Sequence, residues 1–191
     1  MAHKFDVRNK HKLDNEKRRE ILPPEKTLIN LGLTEGDIMA DIGCGIGYFS
    51  FPAAKIVGNN GLVYALDISP EMLQEVETKA TENNYINIKT ILTEENDFMV
   101  EEGKITFALI CNVLHETANL EIFLGEVKKL ISPKGKVAIV DWEKVTTEYG
   151  PPIEHRLDKL ELTKLLEELG FSNISNISIG ENFYGITALI N

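Results

Sequence analysis

From Asp37 onward, apolar stretches alternate with helical patterns along this 191-residue chain, and that rhythm restricts the fold more than any single motif does. Apolar runs without polar interruption suit strands covered on both faces, and strands alternating with helices make a parallel sheet wrapped by helices. The strands expected are IMADI (38–42), LVYALDI (62–68), INIKTIL (86–92), ITFALICNV (105–113) and KVAIVDW (136–142). A first crossover helix is read over 47–57, and Ser69-Pro70 opens the next with a capping hydroxyl and a proline at the first helical position. Asn119 caps a helix running to about Leu130, and Ser132-Pro133-Lys134-Gly135 turns into the fifth strand. Asp158 with Glu161 resembles a capping box ahead of a leucine stripe that Gly170 ends. Two final strands, near 171–179 and 183–190, are joined by Gly180-Glu181-Asn182, short enough for a hairpin, so the last strand runs antiparallel to the one before it.

The first strand runs into DIGCGIGYF (41–49), which sets glycines at alternate positions behind Asp41. Glycine combines free φ with the absence of a Cβ, so such a turn lets backbone approach a nucleotide closely. The dinucleotide pattern G-x-G-x-x-G, counted from Gly43 and Gly45, needs a glycine at position 48, where Tyr48 stands; the third glycine comes one residue early, at Gly47. Asp41 would also repel a pyrophosphate at the helix N-terminus and attract an ammonium group. Asp67, 20 residues after Gly47 at the end of the second strand, is placed to accept both hydroxyls of a ribose. S-adenosylmethionine meets both demands, with a free ribose and a methionine tail that carries an ammonium.

With these residues in place, the chain resembles the class I SAM-dependent methyltransferases over roughly 25–190, through DIGCGIG, ALDISPEML and LISPKGKVAIVDW. The resemblance implies a Rossmann-like three-layer α/β sandwich with a seven-stranded, mostly parallel sheet whose last strand is antiparallel. It implies S-adenosyl-L-methionine as cofactor, with S-adenosyl-L-homocysteine as product, across the carboxyl ends of the first strands. Asp41, Gly43, Cys44, Gly45 and Gly47 then line its methionine and ribose, and Asp67 takes the ribose hydroxyls. Ile68 and Met72 pack on the adenine, Glu94 and Glu95 lie near the adenine amino group, and Asn112 lies near the methionine part. Residues 1–24 form a basic helical arm, a cap or a lid, and 25–191 the methyltransferase domain. The arm and GPPIEHRL are loosely similar to the ubiquinone and menaquinone C-methyltransferase branch. CNVLHE lacks both the N-P-P-Y motif of amino-methylating DNA and protein enzymes and the Pro-Cys nucleophile of cytosine methylation, so a small-molecule acceptor is expected.

Charge points the same way. Residues 1–20 carry seven Lys/Arg against four Asp/Glu and 21–191 carry thirteen against twenty-six, a net of +3 on the arm and −13 on the body. An acidic body repels phosphate backbones, and no nucleic-acid partner is expected. Cys44 and Cys111 form no C-x-x-C pair, which argues against a zinc site and for a reducing, cytoplasmic setting. No run approaches the ~18 apolar residues of a membrane span. Methyl transfer from a sulfonium needs an aligned acceptor and, where the acceptor is protonated, a base. His115 after the fourth strand, and Tyr149 and His155 in the long segment 143–157, are the catalytic candidates. Arg156 reads as a salt-bridge partner, and Phe5, His11 and Lys12 are the arm residues a lid would bring to the site. An NAD(P)-binding oxidoreductase, a SAM-binding regulatory module without catalysis and an aminopropyl transferase remain open alternatives.

Overall fold

The computed structural model describes residues 8, 13–147 and 150–190. Within them, strands β1 (Ile38–Ile42), β2 (Leu62–Asp67), β3 (Ile88–Leu92), β4 (Ile105–Cys111), β5 (Ile131–Trp142), β6 (Ser172–Ser178) and β7 (Phe183–Leu189) build a seven-stranded sheet in the order β3-β2-β1-β4-β5-β7-β6. β1 pairs in parallel with β2 and β4, and β7 lies antiparallel to both β5 and β6. The expected sandwich is therefore present, with the last strand reversed.

Helices cover both faces. On one face, α2 (Pro24–Leu31), α3 (Ser50–Val57) and α4 (Pro70–Glu82) pack through Leu28, Leu31, Ala53, Val57, Leu73 and Val76. On the other, α5 (Leu120–Leu130) and α6 (Lys159–Glu168) bury Phe123, Leu124, Val127, Leu162 and Leu166. Each buried Leu or Phe of these stripes contributes about 1.5–3 kcal/mol of transfer free energy. The caps form as the sequence implies: the side chains of Ser69, Asn119 and Asp158 accept from the backbone N–H groups of Met72, Ile122 and Leu160. Among the described residues, no helix is long and apolar enough to cross a membrane.

β3 starts at Ile88 and β4 ends at Cys111, each two residues short of expectation, and two further boundaries differ more. α3 starts at Ser50, not at Gly47, because Gly45 and Gly47 hold φ of 53° and 83°, left-handed conformations that interrupt a right-handed helix. Ser132–Gly135 does not precede β5 as a separate turn; it is a bulge inside it. The register jumps from Ile105↔Ile131 to Phe107↔Lys136, so Ser132, Pro133, Lys134 and Gly135 stand against Thr106 alone.

The part of the arm that is described is tied to the core. α1 (Glu16–Ile21) is capped by Asn15, whose Oδ1 accepts from Arg18 N at 2.9 Å. Leu22 just after it is fully buried, and its carbonyl accepts from the Tyr48 hydroxyl at 2.7 Å. Phe5, His11, Lys12 and Tyr149 lie outside the described residues.

The segment after β5 is held by Arg156. Its buried guanidinium donates to the carbonyls of Pro151 (2.9 Å), Glu143 (3.0 Å) and Val145 (2.8 Å) and to the Thr147 hydroxyl (2.6 Å), and it lies over the Trp142 ring. Sequence reading expected a salt bridge here. Among the described residues the side chain gathers backbone carbonyls that a long loop would otherwise leave to water.

Candidate functional site

β1 is the point from which the strand order runs in opposite directions, to β2 and β3 on one side and to β4 and β5 on the other. Such a divergence leaves a crevice at the carboxyl ends of the strands. Here it is a cavity of about 440 Å³, a volume suited to a small molecule. The glycine turn forms its wall. Gly43 N and Cys44 N donate to the Leu66 carbonyl at 2.8 and 2.9 Å, and Gly45 N donates to Asp67 Oδ2 at 2.8 Å. Asp67 Oδ1 accepts from Ser69 N at 2.9 Å, so this carboxylate joins the turn to the start of α4 while its remaining lone pairs face the cavity residues.

Asp41 is the second carboxylate, 2% exposed, with Ser50 Oγ donating to its Oδ2 at 2.6 Å. Burial pushes its pKa up to about 7, and the neighbouring Asp67 adds to the rise; the Ser50 hydrogen bond and the charge of Arg18 oppose it. Burial also raises Asp67, against the pull of the backbone N–H groups of Ser69, Gly45 and Ile68. Asn112 holds φ of 57° at the end of β4, and its Oδ1 is buried without a hydrogen-bond partner. The cavity thus offers acceptors in excess, which fits a ligand with hydroxyl and ammonium donors. Buried Cys44 and Cys111 have thiols raised by burial and are unsuited to nucleophilic chemistry. Among the described residues, no cluster is suited to hold a metal.

A family model described as "Methyltransferase domain" matches residues 33–171. The chain belongs to the methyltransferase domain family. A solved structure of a SAM dependent methyltransferase from Aquifex aeolicus is 32% identical, with a TM-score of 0.93 over 98% of this chain and 100% of that one. Demethylmenaquinone methyltransferase of Geobacillus sp. (strain WCH70) is 27% identical over 129 residues, 68% of this chain. Aklanonic acid methyltransferase of Streptomyces sp. (strain C5) is 42% identical over 59 residues, 31% of this chain. The matches span 55% and 27% of the lengths of these two curated relatives.

In this methyltransferase domain, Asp41, Gly43, Cys44, Gly45, Asp67, Ile68, Met72, Glu94, Glu95 and Asn112 all line the cavity. Gly47 does not; it shapes the turn from behind, its N–H donating to the Cys44 carbonyl at 3.0 Å. Tyr48, noticed in sequence only as the wrong residue for a dinucleotide site, is a wall residue that fastens the arm.

The catalytic candidates fare differently. His155 is exposed in a short 3₁₀ turn (Ile153–His155) and is not among the cavity residues. His115 also stands back from the cavity: its Nδ1 lies 2.9 Å from Asp141 Oδ1, and its Nε2 lies 3.8 Å from Glu116 Oε1. Burial alone would lower the His115 pKa; the hydrogen bond and charge of Asp141, helped by Glu116, outweigh it and the net shift is upward. Glu116, in the same short turn after β4, is the residue that reaches the cavity wall. Sequence reading missed Arg18, Leu13, Phe98 and Cys111 as cavity residues. Cys111 could have been found by alternation along β4, whereas nothing local in the sequence points to the other three.

Proposed function

We propose that this domain transfers a methyl group from S-adenosyl-L-methionine to a small-molecule acceptor, in the cytoplasm. The observation that carries the reading is the pair of carboxylates, buried Asp41 and part-buried Asp67, set on either side of a glycine turn at the ends of adjacent parallel strands. Asp67 holds the ribose hydroxyls, and Asp41 with Asn112 Oδ1 receives the ammonium of the methionine end. Met72, 3% exposed, and Ile68, which keeps 44% of its surface, form the apolar bed for the adenine. Glu94 and Glu95 edge that bed, with Glu95 Oε1 held by Ala118 N at 2.7 Å. Bound there, the cofactor supplies a methyl group on a sulfonium, which passes to a nucleophile in line with the departing sulfur. The chain's part is alignment and exclusion of water. Glu116 is the carboxylate placed to take an acceptor proton, and His115, fixed by Asp141, backs it. The arm closes the cavity from the side of Tyr48.

Calorimetric titration tests this directly. S-adenosylmethionine and S-adenosylhomocysteine should bind in the micromolar range and NAD should not; NAD binding in their place would sink the proposal. Binding without turnover across a broad acceptor screen would leave a SAM-binding module.

Asp41 gives the binding a pH dependence of known sign. With its pKa raised to about 7, the carboxyl carries a proton below that pH, and an ammonium group can be received only after the proton leaves. Affinity for S-adenosylhomocysteine should therefore rise about tenfold between pH 6 and pH 8 and level off above that. Asp41→Asn should flatten that rise. A native profile flat from pH 6 to 8 would show that Asp41 does not face the ammonium.

A further inference from the structure

With the ribose at Asp67 and the ammonium at Asp41, the wall left for a methyl acceptor is the one that runs from the end of β4 toward α5. Val113, Glu116, Thr117 and Phe123 line the cavity there. The main-chain donors of this stretch are engaged. The N–H groups of Asn112, Glu116 and Thr117 donate to the carbonyls of Val140, Val113 and Leu114 at 2.9, 2.9 and 3.2 Å, and Ala118 N donates to Glu95 Oε1 at 2.7 Å. Thr117 also spends its one hydroxyl proton on the Leu114 carbonyl, at 2.9 Å. An anionic acceptor would find those donors taken. A ligand with N–H groups of its own would find lone pairs on the Glu116 carboxylate, on Thr117 Oγ1 and on Asn112 Oδ1, which is buried without a partner.

Charge points to the same class of ligand. Among the described residues, the cavity is lined by six carboxylates, Asp41, Asp67, Glu71, Glu94, Glu95 and Glu116, and by a single base, Arg18. Arg18 lies over the Tyr48 ring, 4.6 Å from its centroid, and Tyr48 belongs to the core on the α2–α3 face, whereas Phe123 belongs to the core on the α5–α6 face. The base and the Glu116 wall therefore stand on opposite faces of the sheet. His115 stands nearer to Glu116, but it lies behind the cavity wall with Nδ1 at 2.9 Å from Asp141 Oδ1, and that carboxylate balances any charge it carries.

The path of charge during methyl transfer separates the acceptor classes. A phenolate, thiolate or carboxylate cancels the sulfonium charge as it attacks. An acidic wall would then hold the starting cation more tightly than the transition state and slow the reaction. A neutral amine instead carries the positive charge from sulfur to nitrogen, and a carboxylate beside that nitrogen stabilises the transition state more than the start. Phe98 and Phe123, in edge contact at 5.3 Å between ring centroids, give the substituents of the nitrogen an apolar surface in the same cavity.

We infer that the methyl acceptor is an amine, captured as its ammonium form by Glu116, which removes a proton before the nitrogen attacks. The inference rests on the cofactor reading given under Proposed function and adds to it the chemical class of the acceptor. The N–H proton passes to a Glu116 carboxylate oxygen. The freed lone pair forms the N–CH3 bond as the C–S bond breaks, with its electron pair going to sulfur. The product leaves as a methylated ammonium, and the proton on Glu116 goes to solvent.

The test is calorimetry of the full chain saturated with S-adenosylhomocysteine. The titrants are matched triplets that share an apolar skeleton and end in an ammonium, a hydroxyl or a carboxylate, with 2-phenylethylamine, 2-phenylethanol and 3-phenylpropanoate as one set in a panel of aliphatic and aromatic skeletons. The best amine should bind about 10- to 100-fold more tightly than its carboxylate counterpart, the range of a charge-assisted pair. Glu116→Gln should weaken that amine by about tenfold or more and leave the matching alcohol and S-adenosylhomocysteine within about twofold, on protein whose melting shows it folded. Glu116→Asp, which keeps the charge on a shorter stem, should retain part of the preference. With labelled S-adenosylmethionine, methyl should appear on amines of the panel. A carboxylate or alcohol that binds as tightly as its amine, no binding by any amine, or a Glu116→Gln protein that keeps the ammonium preference overturns the inference and leaves the cofactor reading standing. Loss of S-adenosylhomocysteine in Glu116→Gln also overturns it, since Glu116 would then belong to the cofactor's part of the cavity. If the native protein does not bind S-adenosylhomocysteine at all, the cofactor reading fails, and the inference with it.

Discussion

Asp67→Ala should weaken binding of S-adenosylmethionine and S-adenosylhomocysteine by about 100-fold or more, measured by calorimetry on protein whose melting shows it folded. Two contributions add. In the proposed reading the carboxylate is the acceptor for the ribose hydroxyls, and charge-assisted hydrogen bonds of this kind are worth about 1.5–3 kcal/mol each. It also holds Gly45 N at 2.8 Å and Ser69 N at 2.9 Å, so its loss frees the glycine turn from the start of α4 and spoils the shape of the site. Asp67→Asn, which keeps one carbonyl oxygen and can hold one of those N–H groups, should fall between native and alanine. Since 5′-methylthioadenosine carries the same ribose, its binding should fall in parallel. Native affinity in a folded Asp67→Ala protein would remove the ribose from this corner of the cavity.

Arg156→Ala should destabilise the protein by about 3 kcal/mol, read from urea denaturation at constant m-value. The guanidinium satisfies three backbone carbonyls and the Thr147 hydroxyl in a buried setting, and hydrogen bonds from a charged donor are among the stronger ones. The change would also remove the guanidinium from the Trp142 ring, which packs on Phe183 at 4.3 Å between ring centroids. Arg156→Lys should rescue little, because an ammonium cannot reach acceptors spread from Glu143 to Pro151 with one fixed fork. A loss under about 1 kcal/mol would mean that water replaces these contacts and that the segment after β5 contributes no stability of its own.

Much of the cofactor side of the cavity is legible in the chain because it is local. Gly43, Gly45 and Asp41 follow one strand, Asp67 ends the next, and the parallel pairing of β1 with β2 brings them together without help from distant residues. The helix start differs from the sequence pattern for an equally local reason: the apolar pattern runs back to Gly47, whereas the left-handed φ of Gly45 and Gly47 delays the helix to Ser50. Arg18 could not be found in this way. Its arrival in the cavity depends on Leu22 reaching the core and on Tyr48 meeting it, contacts between segments with no common period. His115 shows the limit of reasoning from position. A histidine after a strand end can turn toward the crevice or away from it, and Asp141, 26 residues on, holds it behind the cavity wall while Glu116 faces in.

The place of β7 in the sheet governs the order in which the fold can be completed. It follows β6 in the chain but stands between β5 and β6, the sheet partner of both. β6 therefore has no edge to join until Phe183–Leu189 exists, and the side of β5 from Lys136 to Trp142 waits, unpaired and apolar, for the same residues. During synthesis the half of the sheet that carries the cavity can settle early, since β1, β2, β3 and β4 precede all of this. The other half closes in one late event, when the β6–β7 hairpin docks as a unit. Until then the open flank of β5 is a template for pairing with other nascent chains, and lesions in β7 should appear first as aggregation on the ribosome's timescale, ahead of any loss at the site.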